Sequence, residues 1–239
     1  MKDAAALARA LASLPAGELR ARKAAAVLCE LTPEVAISLL RPLVRRANRR
    51  NDPEAAALEG LLLAVRELLP RERVEALYQA AGDDLEVQAL FGRAQARRSF
   101  DHDREEWIDR EMRARTLGDR RALARTHDRD LLARLAADPD PMVVKHILQN
   151  PRCTEREALA AASRRPQRPE VLEEIFRSQR WSSNRRVRRA LALNPYSPPA
   201  LASAALALLT APDLREVAGD LTISSDVRVQ ARRLLGARE

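Results

Sequence analysis

Glycine is scarce in this chain, with seven in 239 residues. That scarcity excludes most functions that rest on a glycine-rich phosphate loop. No P-loop, dinucleotide turn, Gly-x-Ser-x-Gly elbow or Cys-x-x-Cys pair is present. Aromatic residues make up 3% of the chain against 46% hydrophobic residues, so the core must be built from Ala, Leu and Val. Cys29 and Cys153 lie far apart and form neither a disulfide framework nor a metal cluster, which fits a reducing cytoplasm. The greasiest stretch, Leu61–Val65, is bracketed by Glu59, Arg66 and Glu67. It is far short of the ~20 apolar residues that span a bilayer, so no membrane association is expected. The opening residues carry Asp3 and Arg9 and no sustained apolar run, which reads as an amphipathic helix and not as a signal peptide. Alternation of Val, Ile, Thr and Tyr that would mark a strand is also missing.

What remains is Ala, Leu, Arg and Glu, the residues that lose least on entering a helix. The expectation is an all-α protein of about thirteen or fourteen helices. Helices are expected over Asp3–Leu14, Gly17–Glu30, Pro53–Leu69, Arg71–Ala81, Asp84–Arg98 and Arg104–Arg115. Thr32-Pro33-Glu34 and Asp52-Pro53-Glu54 each place a capping residue, a first-turn proline and an acid in order. Between them Pro42 should kink the helix, because it has no N–H to donate. Ser99–Asp103 is the expected boundary between an N-terminal helical region, 1–98, and a second region, 104–239.

From about residue 128 the helices shorten and prolines recur. Asn150-Pro151-Arg152-Cys153-Thr154, Arg165-Pro166-Gln167-Arg168-Pro169 and Asn194-Pro195-Tyr196-Ser197-Pro198 read as one recurring break. Valine-led segments precede two of them, Val143–Leu148 and Val187–Ala192, and Thr154–Glu157 has a capping-box pattern. Recurring break-and-helix units are the mark of stacked repeats, each burying its apolar face on its neighbours. Asp138-Pro139-Asp140-Pro141-Met142-Val143-Val144 with Asn150-Pro151 and Leu159, and Val187–Pro195 with Pro198 and Leu201, resemble the leucine-rich-repeat variant family and, more broadly, HEAT-type repeats. Ser225–Ala231 resembles the start of a HEAT second helix. The likeness covers about residues 128–236. It implies a right-handed α-solenoid of short HEAT-like repeats, usually a protein-binding scaffold. Variant-repeat proteins can carry an iron–sulfur cluster, but two distant cysteines cannot supply the about four thiolates it uses, and no cofactor is expected.

Net charge is +8, and with lysine at positions 2, 23 and 145 only, the basic residues are nearly all arginine. An Ala- and Arg-heavy composition often reflects a GC-rich genome, and a bacterial source is expected. The excess is concentrated, however, with eleven basic and five acidic residues over 152–200. Arg177, Arg180, Trp181, Arg185, Arg186, Arg188 and Arg189 form the candidate partner site. On a helix starting near Asn184, Val187, Ala190 and Leu191 face inward, while Arg185 and Arg189 share an outward stripe with Arg188 close by. Arginines beside an aromatic can clamp an acidic peptide, or hold phosphates and stack a base. The alternative is that these arginines pair with Glu170, Glu173 and Glu174 while Trp181 plugs a junction between repeats.

His102, between Asp101 and Asp103, lacks a second histidine at ligand spacing and reads as linker. His146 is expected to pack at a repeat interface. Glu105/Glu106 and Glu173/Glu174 are adjacent, point to different helix faces and read as solvated surface, a poor geometry for a shared acid–base task. Trp107 and Asp109 invite comparison with the HEAT-like alkylpurine DNA glycosylases, but the paired tryptophans of that family are missing. The reading is therefore a non-catalytic scaffold that binds another protein, an acidic one ahead of nucleic acid, with no metal and no small-molecule substrate. The alternative is nucleic-acid binding through the basic 152–200 surface.

Overall fold

A computed structural model describes residues 3–48, 52–91, 96–101 and 109–237. Every regular element among them is helical. The N-terminal part holds α1 (Ala4–Ala12), α2 (Glu18–Glu30), α3 (Pro33–Asn48) and α4 (Asp52–Leu63), with a wider π-type turn over Ala64–Leu68 continuing α4. Next come α5 (Arg71–Ala81), α6 (Leu85–Phe91), α7 (Arg110–Arg113), α8 (Leu117–Leu123), α9 (Arg129–Leu135) and α10 (Pro141–Gln149). The last six are α11 (Glu155–Ser163), α12 (Pro169–Arg177), α13 (Arg185–Ala192), α14 (Pro199–Leu206), α15 (Ala211–Gly219) and α16 (Ser225–Gly236). Pro42 sits inside α3, which runs through it as one helix. The helix expected to reach Arg98 is over by residue 96, and Arg98 instead donates its backbone N–H to Pro195 O at 3.1 Å. No helix among the described residues is long and apolar enough to cross a membrane.

Local chemistry starts these helices, at Thr154 and Asn184 as the sequence indicates. Capping boxes open α8 (Thr116/Asp119), α11 (Thr154/Glu157) and α15 (Thr210/Asp213), and Asp140 and Asn184 side chains cap α10 and α13. One hydrophobic core then runs from Ala4 to Leu234. α4 packs on α1, α2, α3 and α14, so the apolar Leu58–Val65 stretch lies where the early and late helices meet.

The proline breaks are not all alike. Asn150, at the end of α10, donates from Nδ2 to Ala124 O and Thr126 O at 3.0 and 2.7 Å, and its Oδ1 accepts from the Arg152 N–H. Asn194, at the end of α13, makes the same set, donating to Ala162 O and Arg164 O at 2.9 Å each and accepting from the Tyr196 N–H. Each Asn thus ties the end of its helix to the end of the helix two before it. The following proline keeps the Asn extended, which is the conformation both need to reach back. The Arg165–Pro169 break separates α11 from α12 and has no Asn. There Gln167 turns inward, donates one longer bond, 3.4 Å, to Ala161 O, and accepts at Oε1 from the N–H of its neighbour Arg168 at 3.0 Å. Two of the three breaks are one device, and the middle one is a different joint.

A second long-range tie is electrostatic. Glu59 of α4 is 0% exposed. One carboxylate oxygen accepts from Arg20 (2.7 Å) and Arg188 (3.2 Å), the other from the Gly17 N–H (3.2 Å). Arg20 also donates to Leu11 O and Leu14 O. Glycine is required on both sides of this knot. Gly17 has φ +91 and an added Cβ would lie 3.0 Å from Phe176 O of α12, and a Cβ on Gly60 would lie 2.6 Å from Arg20 Cγ.

Candidate functional site

The seven residues of the basic segment separate into three places. Arg188 is in the core, 1% exposed, with its guanidinium on Glu59 and over the Phe176 ring. This corrects the outward placement expected for it, because the buried face of α13 is Val187, Arg188, Leu191 and Ala192. Arg185, Arg186 and Arg189 are exposed but engaged. Arg185 is bidentate on Asp213 (2.7 and 3.0 Å), Arg189 is bidentate on Glu216, and Arg186 pairs with Glu155 at 2.5 Å. Arg185, with the Thr210 cap, holds the Asp213 carboxyl down at about 2. Arg177, Arg180 and Trp181 form the third group, at the end of α12.

Trp181 is buried, its indole N–H donating to Leu148 O at 3.1 Å, and the Arg180 guanidinium lies 4.6 Å from its ring centroid. Arg180 also donates to Asn150 O and Cys153 O, so it staples the α10–α11 break while remaining exposed. It forms no ion pair with a carboxylate among the described residues. Arg177, in contrast, is surrounded by carboxylates: Glu173 at 3.3 Å, Glu174 at 3.6 Å and Glu67 at 3.8 Å. Lys145 reaches Glu174 at 3.5 Å. The Glu173/Glu174 pair is therefore half-buried between cations and not a freely solvated face.

These groups border a cleft of about 850 Å³ between the start of α2 and the ends of α10 and α12. Glu18, Lys145, Gln149, Glu174, Arg177 and Arg180 line it, with Leu148, Ser178 and Gln179. Of the residues expected from sequence, Arg177 and Arg180 line this space and Trp181 backs it. Sequence reasoning missed Glu18, Lys145 and Gln149, which are distant along the chain and carry no local motif.

Glu67 feels the crowding most. Burial, then Glu173, then Glu18 push its carboxyl up to about 7, against the pull of Arg177. Its side chain is 22% exposed although its backbone, at a helix end, is open. A raised carboxyl beside a cleft is also what acid–base chemistry uses, but Glu67 is not among the side chains lining the space. It reads as the cost of gathering acids around one arginine. The folded state keeps its proton up to about pH 7, while the unfolded chain releases it near 4.5. Stability therefore falls as pH rises through that window. Glu67→Gln is expected to match the parent near pH 4 and to exceed it above pH 7, by on the order of 1 kcal/mol after solvent screening. Urea denaturation at the two pH values checks this, and an equal effect at both would show that the charge is not the cause.

The remaining candidates are quiet or lie elsewhere. His102, Glu105, Glu106 and Trp107 fall outside the described residues. Asp109 caps α7 and pairs with Arg134 at 2.5 Å, which together hold its carboxyl below the usual range. His146 is half-buried against Arg125, in the turn after α8, and burial and that guanidinium lower it. Cys153 is buried and its thiol is pushed up to about 12, chiefly by burial. Among the described residues no group of three His, Cys, Asp or Glu side chains converges in a way that would hold a metal ion. No family model, no curated protein and no solved structure matches this chain.

Proposed function

We propose that the protein is a non-catalytic cytoplasmic scaffold, a short right-handed α-solenoid of HEAT-like character, that binds another protein in the cleft between α2, α10 and α12. Support for the repeat comes from helix triplets. In α8–α10 and α11–α13 the first and third helices pack together and are tied by Asn150 or Asn194, and α14 packs on α16 in the same way. The third helices open alike, with Asp140, Asn184 and Ser224 each three residues before a buried valine, Val143, Val187 and Val227. Such triplets bury their faces on each other and leave helix ends and grooves for recognition.

The observation that carries the binding reading is the cleft, a concave space lined by polar groups from three separate elements. Arg180 is the group an acidic segment would meet there, since Arg177 and Lys145 are already on carboxylates. A nucleic acid on the 152–200 surface would have to draw Arg185, Arg186 and Arg189 off Asp213, Glu155 and Glu216.

A photo-crosslinking amino acid at Gln149 or Gln179, in extract of the native cells, tests the reading. The expected result is one protein adduct common to both positions and suppressed by Arg180→Glu. Leu221, 72% exposed and not lining the cleft, should not form it. A nuclease-sensitive adduct, or the same adducts at all three positions, overturns the proposal.

A further inference from the structure

A second cavity lies away from the cleft, at the start of α16. It has a volume of about 290 Å³ and is bordered by Arg97, Ser224, Ser225, Asp226 and Arg228, with Ala96 and Ile223. Two of the lining residues are arginines. Arg97 and Arg228 line the space, and Arg66, on the π-type turn, is close enough to feel the Asp226 charge. Among the described residues none of the three forms an ion pair with a carboxylate, and the Nε atoms of Arg66 and Arg228 are buried without a hydrogen-bond partner. Asp226 is the one carboxylate among the residues that line the cavity. Arg185, Arg186 and Arg189, by contrast, each sit on an acid.

Hydrogen-bond donors surround the same space. Ser224 makes no side-chain cap to α16, and the Ser225 hydroxyl has only a 3.4 Å bond to Asp226. The first intrahelical bond runs from the Arg228 N–H to Ser224 O. The N–H groups of Ser225, Asp226 and Val227 therefore precede the helical ladder, as at any helix start, and carry the positive end of a twelve-residue dipole. A carboxylate would use one or two of these donors. A tetrahedral dianion offers three equivalent oxygens and about −2 charge, matching guanidinium forks, hydroxyls and a helix start together.

We propose that this cavity is a binding site for a phosphate monoester, with Arg97 and Arg228 as its charge partners and the α16 start and its two serines as donors. Its size suits the phosphoryl group and a small part of the molecule that carries it.

Isothermal titration of the full chain with O-phosphoserine, inorganic phosphate and glutarate tests the assignment. Arg97→Glu is the informative variant, because Arg97 is exposed and lies outside every helix. Arg228→Gln is the second. The expected result is that O-phosphoserine binds, glutarate does not, and either variant weakens the ester at least roughly tenfold, the size of one lost charge-assisted contact. The thermal midpoint of the ligand-free Arg97→Glu protein should be unchanged. Binding that survives both variants is adventitious and overturns the site. Inorganic phosphate held without the ester overturns the monoester assignment, and so does glutarate held as tightly as phosphoserine.

Discussion

Glu59→Ala is expected to cost about 3–5 kcal/mol, the range for removing one partner from a buried ion pair. The carboxylate is fully buried, and it is the counter-charge for both Arg20 and Arg188, each 7% exposed or less at the side chain. Without it two guanidinium groups face each other in the core. Burial already lowers Arg20, and Arg188 lowers it further, with Glu59 alone opposing them. The Gly17 N–H also loses its acceptor. The comparison that isolates the charge is a triple replacement, Arg20→Met, Glu59→Leu and Arg188→Met. Buried charge networks of this kind can be exchanged for apolar groups with little loss, so the triple variant should recover most of the stability that Glu59→Ala loses. Arg188 carries two further buried nitrogens without partners, Nε and Nη1, which makes its removal cheaper still. Urea midpoints of the parent, the single and the triple variant decide the matter. A triple variant no more stable than Glu59→Ala would mean that packing around Gly60, and not charge, controls this junction.

The second large effect belongs to the Asn-Pro breaks. Asn194→Ala removes three hydrogen bonds at a site that is 2% exposed. The carbonyls of Ala162 and Arg164 at the end of α11 lose a shared donor, and the Tyr196 N–H loses an acceptor. At about 1–3 kcal/mol for each buried group left unsatisfied, and with relaxation at the Arg164 end, a loss of about 2–4 kcal/mol is expected. Asn150→Ala should behave alike, because its bonds to Ala124, Thr126 and Arg152 are the same set. Gln167→Ala should lose clearly less, since its amide N–H makes a single long bond, to Ala161 O, and its other bond is to the adjacent Arg168 N–H. Chemical denaturation of the three variants checks the ranking. Equal losses for Asn194 and Gln167 would show that the two kinds of break are not distinct devices.

These two features differ in how far they could be read in advance. The Asn-Pro breaks were visible as words, and so were the capping box at Thr154 and the prolines that open α3 and α4. Their meaning depends on a few neighbouring residues, because a cap or a pre-proline extension is a property of the local backbone. What the Asn side chain does at the break was not visible, since its acceptors lie 24 to 32 residues away. The middle break was therefore grouped with the other two on spelling alone.

The basic segment shows the limit most clearly. Composition alone made the chain helical, because Ala, Leu, Arg and Glu in this abundance leave no pattern from which strands could form. Arginine at 185, 186, 188 and 189 beside Val187 and Leu191 also made an amphipathic α13 certain. On so short a helix, though, a polar residue one step from the apolar stripe can fall on either side of the boundary. Arg188 is drawn inward because α4 brings Glu59 to it from 129 positions away. The same holds for Arg185 on Asp213, for the acids that crowd Arg177, and for Arg97, which meets α16 only in the folded chain. Helix positions follow from short-range backbone and burial preferences, which the order of residues contains. Which charges end up buried, paired or left over is set by contacts between distant helices, and packing alone decides those.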